Sequence, residues 1–172
     1  FSYFGPMFRY ERPQKGRLRQ FKQFGIECIG ISNSMADIEV ISLGYEFLKK
    51  LDILGKITLK INSLGDTDSR VNYRKVLIEY LNDYRSKLSE DSIKRLSENP
   101  LRILDSKNAV DQKILIDAPN VLDYLNEKSR ERFENVCEGL NVLKIKYEID
   151  KNLVRGLDYY CHTAFEFMTD EL

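Results

Sequence analysis

Tryptophan is absent from the 172 residues, histidine occurs once, at position 162, and cysteine occurs three times. One imidazole all but excludes a His-based metal site or a Ser-His-Asp triad. Cys28, Cys137 and Cys161 are odd in number, far apart and without metal-ligand spacing. They read as free thiols of a reducing, cytoplasmic compartment, with Cys28 and Cys161 buried and His162 incidental. Charge of one sign is also missing. Lys plus Arg is 27 and Asp plus Glu is 27, which rules out a uniformly basic nucleic-acid coat but leaves room for a local basic patch. No run approaches about 18 apolar residues, so no membrane span is expected. No internal repeat or low-complexity tract is present.

What is there suffices for a packed core. Apolar residues make up 42% of a chain long enough to bury roughly 70% of its unfolded surface. Phe1 to Phe8 is aromatic-rich and reads as a strand, residues 9–20 as a charged loop, and Phe21 to Ile31 as the returning strand. Loops of that length inside a compact domain are uncommon and often functional. Asn33 or Ser34 caps a helix whose stripe is Val40, Ile41, Gly44, Leu48 and Leu51, with Gly55 suited to stop it. Lys56 to Asn62 alternates as a half-buried strand. Gly65 to Asp68 turns and caps a second helix with Tyr73, Leu77, Tyr80, Leu81 and Tyr84 inward.

From Lys87 to Lys128 the composition becomes charged and is broken by Pro100 and Pro119. Short helical pieces are expected near 89–96 and 121–126. Glu127 to Leu143 reads as a third helix, with Phe133, Val136, Cys137 and Leu140 inward. A short strand at 147–150, a Gly-containing turn or strand at 153–160 and a closing strand at 163–168 complete the chain. Strands and helices mix without a strict βαβ beat, so the expected class is α+β, with a mixed, mainly antiparallel sheet flanked by helices and a helical insertion. The expected domains are 1–86 as one part of a core, 87–128 as an insertion subdomain, and 129–172 as the return to the core.

Two stretches carry chemistry. Residues 4–21 (FGPMFRYERPQKGRLRQF) gather Arg9, Arg12, Lys15, Arg17 and Arg19 with Glu11 between two strands. A guanidinium at the end of a strand is fixed well enough to meet a phosphate, and one on the far arm could close over a phosphate tail. Phe21 offers a flat face to a base, and Glu11 could accept from an exocyclic amine. A solvated charged hairpin tip is the plain alternative. Residues 153–160 (LVRGLDYY) set Arg155 beside a flexible Gly, followed by Asp158, Tyr159 and Tyr160. On spacing alone a turn with an exposed Arg and core tyrosines accounts for them.

These strings resemble a known family. Phe8-Arg9-Tyr10-Glu11, then Arg17 to Phe21, has the form of motif 2 of the class II aminoacyl-tRNA synthetases. GPMFRYERPQKGRLRQFKQFGIE is similar to that motif in histidyl-tRNA synthetases in particular, and LVRGLDYYCHT (153–163) to that family's histidine-site string LVRGLDYYxxT. NSLG (62–65) and NPLRILDSK (99–107) resemble the family too, so the likeness covers essentially the whole chain. Motif 1, a Thr-bearing amino-acid loop, the Gly-rich strand after LVRGLDYY, motif 3 and the anticodon-binding domain have no counterpart. With Phe1 first and Thr169 to Leu172 last, the expectation is an internal piece of a catalytic domain, inactive alone.

The resemblance implies a ligase that activates L-histidine with ATP and Mg²⁺ and charges tRNA(His), as a homodimer in the intact parent, with no membrane partner and no metal held by protein ligands. It implies catalytic roles at the α-phosphate for Arg9 and Arg155, with Arg9 also meeting the histidine carboxylate. Glu11 would face adenine, Arg17 the γ-phosphate, and Phe21 would stack on the adenine ring. Gln23, Glu27, Arg155, Tyr159 and Tyr160 would bind histidine. A histidine-sensing regulatory paralog without tRNA charging is the competing class, and an inert folded fragment the third. The intact ATP clamp favours the enzyme.

Overall fold

The computed structural model describes residues 1–14, 16–155 and 159–169. Strands β1 (Ser2–Phe8) and β2 (Gln20–Ile26) form an antiparallel hairpin, with Ser2 opposite Ile26 and Phe8 opposite Gln20. This register sets Tyr3, Gly5 and Met7 on one face with Phe21, Gln23 and Gly25. The Tyr3 ring lies so close over Gly25 that a Cβ there would overlap Tyr3 Cζ. The opposite face leaves Phe4 and Phe8 more than 70% exposed, while Phe24 stacks on Phe47 of the following helix at 5.2 Å. The second strand ends at Ile26, five residues before the expected Ile31.

Helix α1 (Ser34–Lys50) is capped by Asn33, whose side-chain oxygen accepts from Met35 N–H at 3.1 Å. It does not run to Gly55. Asp52 takes φ +58, its N–H donates to Lys49 O, and Ile53 N–H donates to Leu48 O, which closes the helix in a Schellman turn three residues early. Gly55 instead lies in a 3₁₀ turn at Leu54–Lys56. The buried stripe is Ala36, Ile38 and Ile41; Leu51 is exposed beyond the helix end.

Strand β3 (Thr58–Ser63) follows. Leu59 and Ile61 are buried as the alternation predicts, but Asn62 and Ser63 are buried as well, because this end of the strand is covered on both faces. Helix α2 (Thr67–Asp83) starts at Asp66, whose Oδ1 accepts from Ser69 N–H at 2.9 Å. Helix α5 (Glu127–Val142) starts at Asn126 in the same way, and Asn126 Nδ2 donates to Asp66 Oδ2 at 2.6 Å. The two caps are thereby tied together. The bond to Ser69 N–H chiefly holds the Asp66 carboxyl down at about 2.

Strands β4 (Glu148–Ile149) and β5 (Thr163–Met168) complete a three-stranded sheet in the order β4-β3-β5. The β3–β5 pair is antiparallel and the short β4 pairs parallel to β3. The described strands therefore form two sheets, the hairpin and this trio. One core packs Ile38 and Ile41 of α1 against Phe133, Val136 and Leu140 of α5, over Leu59 and Ile61 of β3.

A second core gathers on α2, where Tyr73, Leu77 and Leu81 meet Leu88, Leu96, Ile103 and Leu115. Tyr80 and Tyr84 are only half-buried and lie against its rim. Helix α3 (Glu90–Glu98) and a 3₁₀ turn at Val121–Tyr124 fall where short helices are expected; α4 (Ala109–Leu115) and a 3₁₀ turn at Pro100–Ile103 are additional. The buried Asp111 of α4 holds this region by accepting from Ser89 N–H (2.9 Å) and from the hydroxyls of Ser89 (2.7 Å), Ser92 (2.6 Å) and Ser106 (2.6 Å). Those bonds keep its carboxyl below the usual range although burial pushes the other way. Among the described residues, no helix is long and apolar enough to cross a membrane.

Candidate functional site

The hairpin tip is organised by its own arginines. Arg9 N–H donates to Arg19 O at 2.9 Å, extending the ladder past β1, and Arg9 Nε donates to Leu18 O at 2.9 Å. Its guanidinium carbon stands 4.4 Å from the Phe21 ring centroid, so one face of the proposed adenine platform carries a cation. Arg17 pairs with Glu11, with Nη2 donating to Oε1 at 3.0 Å. Arg19 Nε donates to Glu11 O at 2.9 Å. The pair between Arg17 and Glu11 is well exposed, so it contributes about 0–1 kcal/mol and opens at little cost to an incoming phosphate.

Arg155 stands at the other arm. Its Nη1 donates to Glu166 Oε1 of β5 at 2.7 Å, and its guanidinium carbon lies 5.7 Å from the Tyr160 centroid. Tyr159 and Tyr160 pack ring on ring at 4.6 Å. Both stay in contact with solvent, so the core-tyrosine alternative does not hold for this pair. The expected turn or strand at 153–160 includes residues 156–158, which lie outside the described residues. Arg155, Tyr160, Glu166 and Arg17 line one open cleft of about 830 Å³ together with Arg102 and Lys107. Arginines from two distant parts of the sequence thus reach one polar cavity.

The two residues of β2 and its end, expected to meet histidine, lie elsewhere. Gln23 Nε2 donates to Tyr3 OH at 2.9 Å on the inner face of the hairpin. Glu27 is exposed beside the chain start, where its N–H donates to Phe1 O at 2.8 Å, and it borders a separate depression with Glu39, Val40 and Leu43 of α1. The cleft that unites Arg17 with Arg155 does not include Glu27.

Several residues important to this region escape sequence reading. Glu166 is the sole acid in the closing strand TAFEFM, which is the signal that could have marked it as a partner for Arg155. Thr163, the last residue of the LVRGLDYYCHT string, donates through Oγ1 to Asp37 Oδ2 at 2.9 Å, and Arg132 Nη2 donates to the same oxygen at 2.8 Å. Thr163 therefore fastens β5 to α1 and α5. His162 lies beside this cluster with φ +57, and its buried Nδ1 has no hydrogen-bond partner. Burial, reinforced by the Arg132 charge, pushes its pKa down. Cys161 is exposed and Cys28 half-buried, contrary to the expectation that both are buried; Cys161 lies in the loop before β5, where little covers it. Among the described residues, no three His, Cys, Asp or Glu side chains group as a metal site.

Comparison with known proteins agrees with the sequence motifs. The profile of the family described as histidyl-tRNA synthetase matches residues 1–172. A histidine–tRNA ligase of Rhodospirillum rubrum is 56% identical over 170 residues, covering 99% of this chain and 41% of that protein. One from Lactococcus lactis is 55% identical over 168 residues, covering 98% of this chain and 39% of its own length. The chain thus spans about two fifths of the length of these curated relatives. The crystal structure of apo Staphylococcus aureus histidyl-tRNA synthetase superposes with a TM-score of 0.72 at 39% identity, over 98% of this chain and 38% of that one. The crystal structure of a Bacillus halodurans protein described as an ATP phosphoribosyltransferase regulatory subunit/histidyl-tRNA synthetase shares the fold at a TM-score of 0.58 and 20% identity, over 99% of this chain and 48% of that one.

Proposed function

The chain belongs to the histidyl-tRNA synthetase family, and we propose that it is the central part of the catalytic domain of a histidine–tRNA ligase. The full-length protein would activate L-histidine with ATP and transfer it to tRNA(His), in the cytoplasm and as a homodimer. The observation that carries this reading is the cleft shared by Arg17 and Arg155, which come from opposite ends of the chain. A site that offers two cations and no nucleophile suits adenylate formation.

Attack of the histidine carboxylate on the α-phosphate builds negative charge on the equatorial oxygens. Guanidinium groups held in place stabilise that charge without reorganising. ATP would enter with Mg²⁺ on its phosphates. Arg9 and Arg155 would meet the α-phosphate, Arg17 the γ-phosphate, and Glu11 and Phe21 the adenine. Gln23, Glu27, Tyr159 and Tyr160 would bind histidine. Arg9, Glu11, Phe21, Gln23, Glu27 and Tyr159 do not line the Arg155 cleft, so their roles require a ligand that extends beyond it. Residues 87–128 would form the insertion subdomain, a reading supported by the Asp111 cage, whose partners all come from that segment.

The runner-up is the competing class that the sequence resemblance admits, a histidine-sensing regulatory paralog without tRNA charging. More than half identity to ligases, against 20% to the Bacillus halodurans protein, favours the ligase. The test is histidine-dependent ATP–pyrophosphate exchange by the full-length protein. Exchange that requires histidine is expected; histidine binding without any exchange would favour the sensor instead.

A further inference from the structure

Among the described residues, the segment that carries Tyr159 and Tyr160 is fastened to the junction of β3 and α2. His162 N–H donates to Gly65 O at 2.8 Å, and Leu64 N–H donates to His162 O at 2.7 Å. Arg70, in the first turn of α2, donates through Nη1 to the backbone carbonyl of Tyr160. Leu64, Gly65 and Arg70 all belong to the junction where β3 passes into α2, so this junction is the platform on which the segment rests. The choice of residue is informative. A cation near a helix N-terminus runs against the helix dipole, so the Arg70 charge does not serve α2 itself. Leu64, Arg70, Tyr73, Val154, Arg155 and Tyr160 line one recess, and the Tyr160 ring carries the Arg155 guanidinium over its face. Movement of the Tyr160 backbone therefore displaces the aromatic neighbour of Arg155.

We propose that Arg70 is a positioning residue of the histidine site, which fixes the Tyr160 backbone against α2 and, through the Tyr160 ring, sets the place of Arg155. The proposal rests on the reading of Arg155 and Tyr160 as part of that site.

The experiment compares wild-type full-length protein with Arg70→Met and Arg70→Lys. Arg70→Met is expected to lower kcat in ATP–pyrophosphate exchange through the displaced Arg155 and to raise KM for histidine through Tyr160, by up to about a hundredfold together, the cost of a misplaced group. KM for ATP should stay unchanged. Arg70→Lys, which keeps a donor for the Tyr160 carbonyl, should recover most of the loss. Amide hydrogen exchange read on the same proteins should be faster in Arg70→Met at Cys161 and His162 and unchanged along α2. Equal effects on histidine and ATP, no effect on either, or loss of protection throughout α2 would each overturn the role. If wild-type protein shows no histidine-dependent exchange, the reading of the site fails. The amide measurement then still separates the two, since unaltered protection at Cys161 and His162 would overturn the fastening as well.

Discussion

Arg155 Nη1 donates to Glu166 Oε1 at 2.7 Å, and the two side chains are 40% and 41% exposed. An ion pair this open contributes about 0–1 kcal/mol, so Glu166 holds the guanidinium in the cleft without locking it. A phosphate can take the place of the carboxylate at small cost. The charge of Arg155 should then matter most when the α-phosphate is pentacovalent. Arg155→Ala in the full-length protein is expected to slow adenylate formation by about 10²–10³, the usual cost of one transition-state donor. Histidine affinity should fall much less. Single-turnover kinetics beside equilibrium binding decides the point, and an equal loss in ground-state affinity with an unchanged chemical step would contradict the assignment.

Asp111 is the clearest structural polar residue of the chain. Its Oδ2 takes three hydroxyl donors, from Ser89, Ser92 and Ser106. In Asp111→Asn the amide nitrogen would face donors wherever it points, and the bonds would lose their charge assistance. A loss of about 3 kcal/mol or more is expected, against about 1–2 kcal/mol for Ser92→Ala. Urea unfolding followed by circular dichroism measures both. Equal stability of Asp111→Asn and wild type would show that the buried carboxyl carries no net stabilisation.

Local signals in the sequence located most elements, and the misses have physical causes. Asn33, Asp66 and Ser89 announce helix starts because a short polar side chain has to meet free N–H groups there. The end of α5 was read to its C-cap, Leu143, but that of α1 was not legible in the same way. α1 and α5 both close in Schellman turns, with Asp52 at φ +58 and Lys144 at φ +57 in the position where glycine is the usual mark. The short α4 was hidden because Asp111, one of its three buried residues, looks like a surface charge until the serines around it are seen. At the site, the Arg17 pair with Glu11 is local and could be read from spacing. The bonds from Arg70 to Tyr160 and from Thr163 to Asp37 span most of the chain, and no spacing rule reaches that far.

His162 and Asp66 give the stability a pH dependence with a definite sign. His162 lies among Arg132, Arg70, Asp66 and Asp37, and its folded pKa is below the ordinary 6.5. The unfolded chain therefore binds this proton more readily, so stability should be full above pH 6.5 and fall as the pH drops below it. Asp66, held at about 2 against an ordinary 3.8, adds stability that is complete above 3.8 and lost as the pH falls toward 2. Thermal midpoints from about pH 8 to about pH 5 should show the first decline, and His162→Gln should flatten it. A steeper decline in His162→Gln would mean that another group titrates there.

Gly65 joins the fold to the proposed site. Its φ is +67, a conformation that costs a residue with a side chain roughly 1–2 kcal/mol. A Cβ there would stand 2.5 Å from Ser69 Cβ and 3.0 Å from Leu125 Cδ2. Neither neighbour can yield easily. Ser69 is buried and its Oγ accepts Asn126 N–H at 3.0 Å, which fixes it to the start of α5, and Leu125 is buried in the core beneath. Gly65→Ala should therefore destabilise the protein by about 2–4 kcal/mol, backbone strain and overpacking together. Gly65→Asn separates the two effects, because Asn tolerates the left-handed region but brings the same Cβ. If crowding dominates, Asn will be no better than Ala in urea unfolding; recovery of most of the loss would assign the cost to the backbone. The Gly65 carbonyl accepts His162 N–H, so the surviving folded fraction of either variant should also show a raised KM for histidine. Stability of Gly65→Ala within about 0.5 kcal/mol of wild type, the range of an ordinary surface substitution, would show that the junction is not packed as described.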